Sequence, residues 1–233
     1  MMGAPTVVFD LDGTLVDSAP DLVATLNTVF AQEGLPPVPY HTARNLVGGG
    51  ARSLIERSLR AEGRRLATAE IDRLVKEFIE YYASHIADRS RPFPSLEAAL
   101  DELGAAGCRL AVCTNKLEWL SVRLLDALGL SKRFVAVCGA DTFGLRKPNP
   151  DFLRRTIARA GGELAHTVMV GDSLSDIATA RAAGVPIVAV DYGYTETPVG
   201  ELGPDRVIGA LTELPSAVFD LLHAGSPTPA EQC

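Results

Sequence analysis

The stretch FDLDGTLVDS, residues 9–18, places Asp10 and Asp12 directly after the apolar residues 7–9. A buried strand gains nothing from charge, and a single aspartate at its end is typical of a turn or a helix cap. Residues i and i+2 of an extended chain point to the same face, so the two carboxylates are directed together. The stretch therefore predicts a buried strand that ends in a pair of carboxylates aimed at a ligand.

The composition is that of an ordinary globular protein with an acidic balance. The chain has 233 residues, of which 47% are hydrophobic and 22% charged, and its formal net charge is −7. Nucleic-acid binding needs a basic face, so we expect no nucleic-acid partner, whereas a small anion needs only local positive charge. No stretch approaches the roughly 20 apolar residues of a membrane span, and the first residues do not resemble a signal peptide. We therefore expect no membrane partner and a cytoplasmic location, with monomer and homodimer left open.

The four cysteines predict reduced thiols rather than a metal site or a disulfide framework. Cys108, Cys113 and Cys138 lie in apolar, strand-like segments, and their spacing is not a metal pattern. Cys233 ends the segment 225–233, whose composition predicts a disordered tail.

Short apolar runs alternate with amphipathic stretches along most of the chain. The runs are rich in valine and alanine, as strands buried on both faces should be, and helical patterns separate them. They lie at residues 6–9, 109–113, 134–138, 167–170 and 186–190. Alternating β and α elements predict an α/β fold with a doubly wound parallel sheet.

One segment breaks this alternation, because residues 20–87 carry helical patterns and no convincing strand. Leu22, Leu26 and Phe30 form one apolar stripe, and the longest stripe runs from Ile71 to Ile86. A crossover between parallel strands usually needs only about a dozen residues. We therefore expect a small helical-bundle cap at 19–88, inserted into a core domain formed by 1–18 and 89–224. The alternative is that these helices simply pack on the sheet.

Polar side chains follow four successive predicted strands. Ligands bind at the carboxyl ends of the strands in open α/β sheets, so these side chains are expected to meet at one edge. They are Asp10 and Asp12 after the first strand, Thr114, Asn115 and Lys116 after the second, Lys147 after the third, and Asp172 and Asp176 after the fourth. Any one of them alone is weak evidence, but together at the functional edge they predict a site.

The residue types in this group point to phosphoryl chemistry. Several carboxylates together repel one another, and a hard divalent cation such as Mg²⁺, which prefers oxygen ligands and shares sites with phosphate, removes that cost. Thr114, Asn115 and Lys147 can hold phosphate oxygens. One carboxylate can then attack the phosphoryl group, and a second can protonate the leaving oxygen and activate the water.

The segments DLDGTLVDS, TNK, RKP and GDSLSD resemble, in this order, the four motifs of the haloacid dehalogenase superfamily, over nearly the whole chain. The resemblance implies Asp10 as nucleophile, Asp12 as general acid/base, and Thr114 and Lys147 as phosphate-binding residues. It also implies that Asp172 binds Mg²⁺ beside the Asp10 carboxylate and the Asp12 backbone carbonyl, with Asp176 in an outer position. Dehalogenase members lack the second aspartate, so Asp12 favours a phosphatase.

Within the superfamily, the stretches LVGGGARSLIERSL, RKPNPDFL and VGDSLSDIATARAAGVPIVAVDYGYT resemble those of the bacterial phosphoglycolate phosphatases, which implies a small phosphorylated acid as substrate. In the predicted cap, VGGGARSL at residues 47–54 brings glycines to the start of a helix. This pattern is typical of a turn, but free helix N–H groups beside Arg52 can also bind an anion. We therefore interpret Gly49, Gly50 and Arg52 as contacts for the non-phosphate end of the substrate, with Arg44 as a second candidate.

Simpler interpretations of several residues stay open in the sequence. Lys147 could be a solvated surface lysine, Lys116 could orient substrate or face solvent, and Asp176 could cap a helix or pair locally. Asp141 could be a loop acid near the site or a structural turn residue. Two rival enzymes, a phosphosugar mutase and a pyrophosphatase, would use the same core, and a phospho-aspartate receiver module is the non-enzymatic alternative. The long helical insert and the Asp-x-Asp pair disfavour the receiver.

Overall fold

The computed structural model describes residues 3–224. Its strands are β1 Thr6–Phe9, β2 Val16–Asp17, β3 Arg91–Pro92, β4 Arg109–Cys113, β5 Ala136–Cys138, β6 Thr167–Gly171, β7 Ile187–Val190 and β8 Arg206–Ile208. Six of them form one sheet in the order β5-β4-β1-β6-β7-β8, with every neighbouring pair parallel. The predicted parallel α/β sheet is thus confirmed, with β1 at its centre.

The sheet departs from the sequence prediction at its two edges. The predicted strand at 134–138 is assigned only from Ala136, although the backbone N–H of the exposed Val135 still donates to the Leu110 carbonyl of β4 at 2.9 Å. The strand β8 was not predicted. It has only three residues, and Arg206 and Val207 are exposed, so neither length nor an apolar run distinguishes it from a loop.

The helices are α1 Ala19–Gln32, α2 Tyr40–Arg44, α3 Ala51–Ala61, α4 Thr68–Ser84, α5 Leu96–Ala105, α6 Glu118–Ala127, α7 Pro150–Arg159, α8 Leu174–Ala183 and α9 Leu214–Ala224. Both faces of the sheet are covered, as the strand composition predicts. Val7 and Phe9 of β1 join the apolar cluster that contains α5, α6 and α9, whereas Val8 joins the cluster that contains α7 and α8. The alternation of side chains along β1 therefore anchors two helical layers at once.

The regular structure between β2 and β3 is entirely helical, and α4 packs against both α1 and α3. Buried residues of these helices, including Phe30, Ile55 and Phe78, belong to the same apolar cluster as one face of the sheet. The short strands β2 and β3 pair antiparallel where the chain leaves and re-enters the sheet layer. The division into a core at 1–18 and 89–224 and a cap at 19–88 stays a prediction.

Among residues 3–224, no helix is both long and apolar enough to cross a membrane. Cys108, Cys113 and Cys138 are free and buried, as expected for core thiols. The predicted disordered tail at 225–233, with Cys233, lies outside the described residues. The cytoplasmic location stays a prediction.

Candidate active site

The carboxyl ends of the parallel strands bring the predicted polar side chains together. Asp10 follows β1, Thr114 follows β4 and Asp172 follows β6, and all three are buried. Carboxylate oxygens of Asp10, Asp172 and Asp176 lie within 4.8 Å of one another. Buried like charges at this spacing are unfavourable unless cations compensate them, so the cluster needs positive charge from the protein or from a ligand.

Lys147 supplies the protein's part of that positive charge. Its ammonium Nζ lies 2.8 Å from Asp10 Oδ1 and 2.6 Å from Asp176 Oδ1, and the side chain is fully buried. Burial alone lowers the pKa of this ammonium, but the charges of Asp10 and Asp176 outweigh it and raise the pKa above its ordinary value. Lys147 is therefore a charged centre of the site, which excludes the alternative of a solvated surface lysine.

Asp10 is oriented by two donors that meet the same oxygen. Its Oδ1 accepts from the backbone N–H of Leu11 at 2.7 Å and pairs with Lys147 at 2.8 Å, so both contacts constrain the same oxygen. Burial and the charges of Asp176 and Asp172 raise the pKa of Asp10 to about 8, although Lys147 acts in the opposite direction. One lysine thus falls short of neutralising the cluster.

Asp172 accepts one hydrogen bond on each oxygen. The Thr14 hydroxyl donates to Oδ1 at 2.8 Å, and the backbone N–H of Tyr194 donates to Oδ2 at 2.7 Å. Burial, followed by the charge of Asp176, raises the pKa of Asp172 to about 7 despite these donors. Two loops, after β1 and after β7, therefore fix this carboxylate in place while its charge stays undercompensated.

Two glycines make room for Asp172. Gly13 has φ of +86°, which L side chains rarely adopt, and a Cβ there would lie 2.4 Å from Asp172 Oδ2. A Cβ on Gly193 would lie 2.2 Å from the Asp172 Cβ. Both loops reach the carboxylate only because these positions carry no side chain.

Asp176 both caps a helix and pairs locally. Its Oδ2 accepts from the backbone N–H of Ser173 at 3.0 Å and from the Ser173 hydroxyl at 2.5 Å, which forms the capping box of α8. Its Oδ1 accepts from Lys147. Both oxygens of Asp176 therefore have protein donors, and the residue joins the start of α8 to the Lys147 ammonium.

Asp12 lies in a separate hydrogen-bonded group beside the carboxylate cluster. Its Oδ1 accepts from the Ser18 hydroxyl at 2.5 Å and lies 2.9 Å from the Lys116 ammonium. Lys116 also donates to the Tyr82 hydroxyl of α4 at 2.9 Å. Lys116 is buried, so the open interpretation that it faces solvent is wrong. Asp12 is thus linked through one ammonium to the helical segment above the sheet.

Thr114 and Asn115 occupy different roles in the geometry, although the sequence groups them. The buried Thr114 Oγ1 accepts from the backbone N–H of Lys116 at 3.2 Å, which leaves its own hydroxyl proton for a ligand. The Asn115 side chain accepts from the backbone N–H of Lys147 at 2.8 Å and donates to the carbonyls of Lys147 and Gly48 at 3.3 and 3.2 Å. Asn115 therefore joins the Lys147 loop to the glycine loop before α3.

A cavity of about 190 Å³ lies between that glycine loop and the sheet edge. Its lining is mostly apolar and includes Gly49, Gly50 and Arg52 on one side and Asp12 and Lys116 on the other. Arg52 is about one-third exposed, and it pairs with Glu56 at 3.3 Å and with Asp72. The structure thus places the predicted cap residues at the cavity, with the Arg52 guanidinium held by acidic neighbours.

The second candidate, Arg44, contacts the loop after β7. It donates to the Tyr192 carbonyl at 2.9 Å, and its guanidinium lies 4.8 Å from the centre of the Tyr194 ring. Asp141 accepts from the backbone N–H of Glu118 at 2.6 Å at the start of α6. Both side chains therefore make structural contacts, and the Asp141 interaction is that of a turn residue at a helix end.

The sequence profile described as "Haloacid dehalogenase-like hydrolase" matches residues 7–190, which include every strand-end residue of the site. The chain belongs to the haloacid dehalogenase-like hydrolase family. The predicted superfamily is thus confirmed.

Curated relatives in this family cover nearly the whole chain. A phosphoglycolate phosphatase of Caulobacter vibrioides is 48% identical over 95% of this chain and 93% of its own length. One of Agrobacterium fabrum is 47% identical over 94% of both chains. The crystal structure of a predicted phosphoglycolate phosphatase from Haemophilus somnus superposes with a TM-score of 0.86 at 29% identity, over 93% of this chain and 99% of that one. The prediction of a phosphatase is confirmed by these relatives.

Several contacts of this phosphatase site were missed at the sequence level. Thr14, Ser18, Tyr82 and Tyr194 all touch a predicted site residue. The segment DYGYT after the fifth predicted strand was a usable signal for Tyr194, since it lies at the same sheet edge. No comparable signal existed for Tyr82, because its position in a helical stripe is equally well explained by core packing.

Proposed function

We propose that this enzyme is a Mg²⁺-dependent phosphomonoesterase that converts 2-phosphoglycolate into glycolate and phosphate. The proposed substrate rests on two relatives, 48% and 47% identical over nearly the entire chain, which are both named phosphoglycolate phosphatase. The buried Lys147–Asp10 pair supports the reaction class, because it combines a candidate nucleophile with a cation that can hold a phosphoryl oxygen.

The carboxylate cluster fits a divalent metal. Its donors are all oxygens, which suit Mg²⁺. Burial, and then the charges of neighbouring carboxylates, raise the pKa values of Asp10 and Asp172, so a cation beside them would favour their ionised forms. Asp10 and Asp172, with the backbone carbonyl of Asp12, would hold the ion. Mg²⁺ bound there would keep these carboxylates ionised and polarise the phosphoryl oxygens.

In the proposed first step, an Asp10 carboxylate oxygen attacks the phosphorus atom and forms an aspartyl phosphate. The bond between phosphorus and the ester oxygen breaks, and Asp12 donates a proton to that oxygen as glycolate leaves. In the second step Asp12 takes a proton from water. The resulting nucleophile attacks the phosphorus, the bond to Asp10 breaks, and both carboxyl groups return to their starting states.

The phosphate would be held by Thr114 and Lys147, with Asn115 in a supporting role. The Thr114 hydroxyl and the Lys147 ammonium are donors at the same buried edge. Asn115 bonds both backbone groups of Lys147, so it fixes the loop that carries the ammonium. Gly49, Gly50 and Arg52 line the cavity beside this edge, and we infer that they close over the non-phosphate end of the substrate.

A phosphate-release panel with Mg²⁺ tests the proposal. It compares kcat/KM for 2-phosphoglycolate, glucose phosphates, pyrophosphate and nucleotides. We expect 2-phosphoglycolate to give the highest value. A higher value for a glucose phosphate or for pyrophosphate would replace the proposed substrate, and absence of phosphate release from every ester would overturn the reaction.

A further inference from the structure

Lys116 is a buried cation that the two chemical steps do not use. The residue is 7% exposed, its Nζ lies 2.9 Å from Asp12 Oδ1, and Nζ lies over the ring of Tyr82 at 4.4 Å from the ring centre. Among the described residues, the Asp12 carboxylate and the Tyr82 hydroxyl are the hydrogen-bonding partners of the Lys116 ammonium. An ammonium has three donors, so one is left for a ligand.

Lys116 lies in the lining of the cavity, so a ligand bound there can reach its third donor. Lys116 and Asp12 are polar members of the cavity lining, which also contains apolar side chains such as Leu54, Phe78 and Ile79. An electrostatic contact is stronger in such surroundings than in water. A charged group of the substrate that enters this space therefore needs a cation close by.

The covalent structure of 2-phosphoglycolate fixes where its carboxylate lies relative to Asp12. A single methylene carbon separates the leaving oxygen from the carboxyl carbon. A general acid must come within about 2.6–3.2 Å of the leaving oxygen. A cation that touches Asp12 is then within reach of a carboxylate attached one carbon away, but not of one held farther along a longer chain.

We propose that Lys116 is the specificity residue that binds the substrate's carboxylate, with Tyr82 of α4 orienting its ammonium. This inference rests on the function proposed above and names the group that selects a two-carbon acid. The other cations in the cavity lining are Arg52, whose guanidinium is paired with Glu56 and Asp72, and Arg146, which is exposed. Lys116 is the best placed of the three because its partner Asp12 is the proposed acid at the reacting oxygen.

The wild-type enzyme provides the first test, through the position of the carboxylate. We expect kcat/KM to be about tenfold or more lower for 3-phosphopropionate, the phosphate ester of 3-hydroxypropionate, than for 2-phosphoglycolate, because one more methylene moves the carboxylate away from Lys116. We expect a similar decrease for ethyl phosphate, which has no carboxylate. Equal or better use of 3-phosphopropionate would overturn the assignment, because it would place the carboxylate receptor farther from Asp12.

Matched variants provide the second test. Lys116→Met and Arg52→Met each remove one cation from the cavity. We expect Lys116→Met to lower kcat/KM for 2-phosphoglycolate about ten- to a hundredfold more than for ethyl phosphate, and Arg52→Met to change the two substrates alike. An equal loss on both substrates in Lys116→Met would reduce Lys116 to a residue that aligns Asp12. A selective loss in Arg52→Met alone would transfer the role to Arg52.

Binding without turnover separates this inference from the proposed function. Calorimetry compares 3-phosphonopropionate, in which a methylene replaces the ester oxygen of 2-phosphoglycolate, with propylphosphonate, which lacks the carboxylate. We expect the wild type to prefer 3-phosphonopropionate by about tenfold or more, and Lys116→Met to lose that preference. A preference retained in folded Lys116→Met would overturn the inference. The proposed function itself fails if the wild type does not favour 2-phosphoglycolate in the substrate panel, whatever these two ligands do.

Discussion

Lys147 and Arg52 are both cations paired with two carboxylates, yet their surroundings differ. Lys147 is fully buried between Asp10 and Asp176, whereas Arg52 is about one-third exposed beside Glu56 and Asp72. A buried pair that loses one partner leaves an uncompensated charge, while an exposed pair is screened by solvent and contributes little. The comparison indicates that the sheet edge fixes the chemistry, whereas the rim of the cavity can vary at low cost.

The largest expected effect is at Asp10, the proposed nucleophile. Asp10→Asn should lower kcat by about 10⁴-fold or more, because an amide cannot form the acyl phosphate. Asp141→Asn is the matched control, since that carboxylate also follows a strand of the sheet but only bonds the Glu118 backbone N–H. We expect the control to keep wild-type kcat. Near-normal turnover in a folded Asp10→Asn protein would refute the mechanism.

Removal of divalent metal should also abolish activity, and Mg²⁺ should restore it. Ca²⁺ should inhibit, because its larger and looser coordination would misplace the nucleophile. Asp172→Ala should raise the Mg²⁺ concentration needed for half-maximal activity steeply. Titration of kcat with Mg²⁺ after dialysis against chelator measures all three effects, and full activity in verified metal-free protein would remove the ion from the mechanism.

Asp12, the proposed general acid/base, should show a smaller loss. Asp12→Asn should lower kcat/KM by about 10²–10⁴-fold, the range typical of general acid–base groups. The loss should be largest for alkyl phosphates and smaller for p-nitrophenyl phosphate, whose leaving group needs no proton. A loss of the same size on both esters would indicate that Asp12 only supports the structure of the site.

The carboxylate cluster should make the stability of the metal-free protein depend on pH. The pKa values of Asp10 and Asp172 are raised to about 8 and about 7 in the fold, so the folded state binds more protons than the unfolded state between about pH 4 and 8. Stability in chelator should therefore fall as pH rises through this window, by at least about 1 kcal/mol. Urea unfolding at several pH values measures it, and a flat profile would show that Lys147 already compensates the cluster. Saturating Mg²⁺ should abolish most of the slope.

The smallest effect is expected at the rim. Arg52→Ala should change the free energy of unfolding by less than about 1 kcal/mol, because its ion pairs with Glu56 and Asp72 are partly exposed. We expect kcat/KM for 2-phosphoglycolate to fall by less than about tenfold. Thermal melting and steady-state kinetics measure the two quantities. A loss of kcat/KM as large as that of Asp12→Asn would show that activity is as sensitive to substitution at the rim of the cavity as at the sheet edge.

The central strands and the carboxyl-end residues were predictable from sequence because the information is local. An apolar run shows a strand buried on both faces, and parallel topology alone brings residues such as Asp10, Thr114 and Asp172 to one edge. The contacts from Tyr82 and Tyr194 were not predictable in the same way. They join elements far apart in the chain, and a tyrosine in an apolar pattern looks the same whether its hydroxyl bonds Lys116 or nothing.

Helix caps explain another part of what the sequence left open. Asp176 falls three residues after Ser173, which is the spacing of a capping box as well as that of a residue beside a metal site. The structure shows that the capping interaction and the pairing with Lys147 occur together, one on each oxygen. The sequence left open whether Asp176 caps a helix or pairs locally, or instead supports the metal site, because spacing does not show what each oxygen contacts.

The closeness of Gly13 and Gly193 to Asp172 has a consequence for mutational scanning. A library that replaces every position in turn should score these two glycines as intolerant as the carboxylate itself, because any added carbon would overlap it. Neither glycine contributes a reactive group. The scan would record a requirement for empty volume at these two positions. A ranking of intolerant positions would therefore overstate the number of residues that take part in the chemistry.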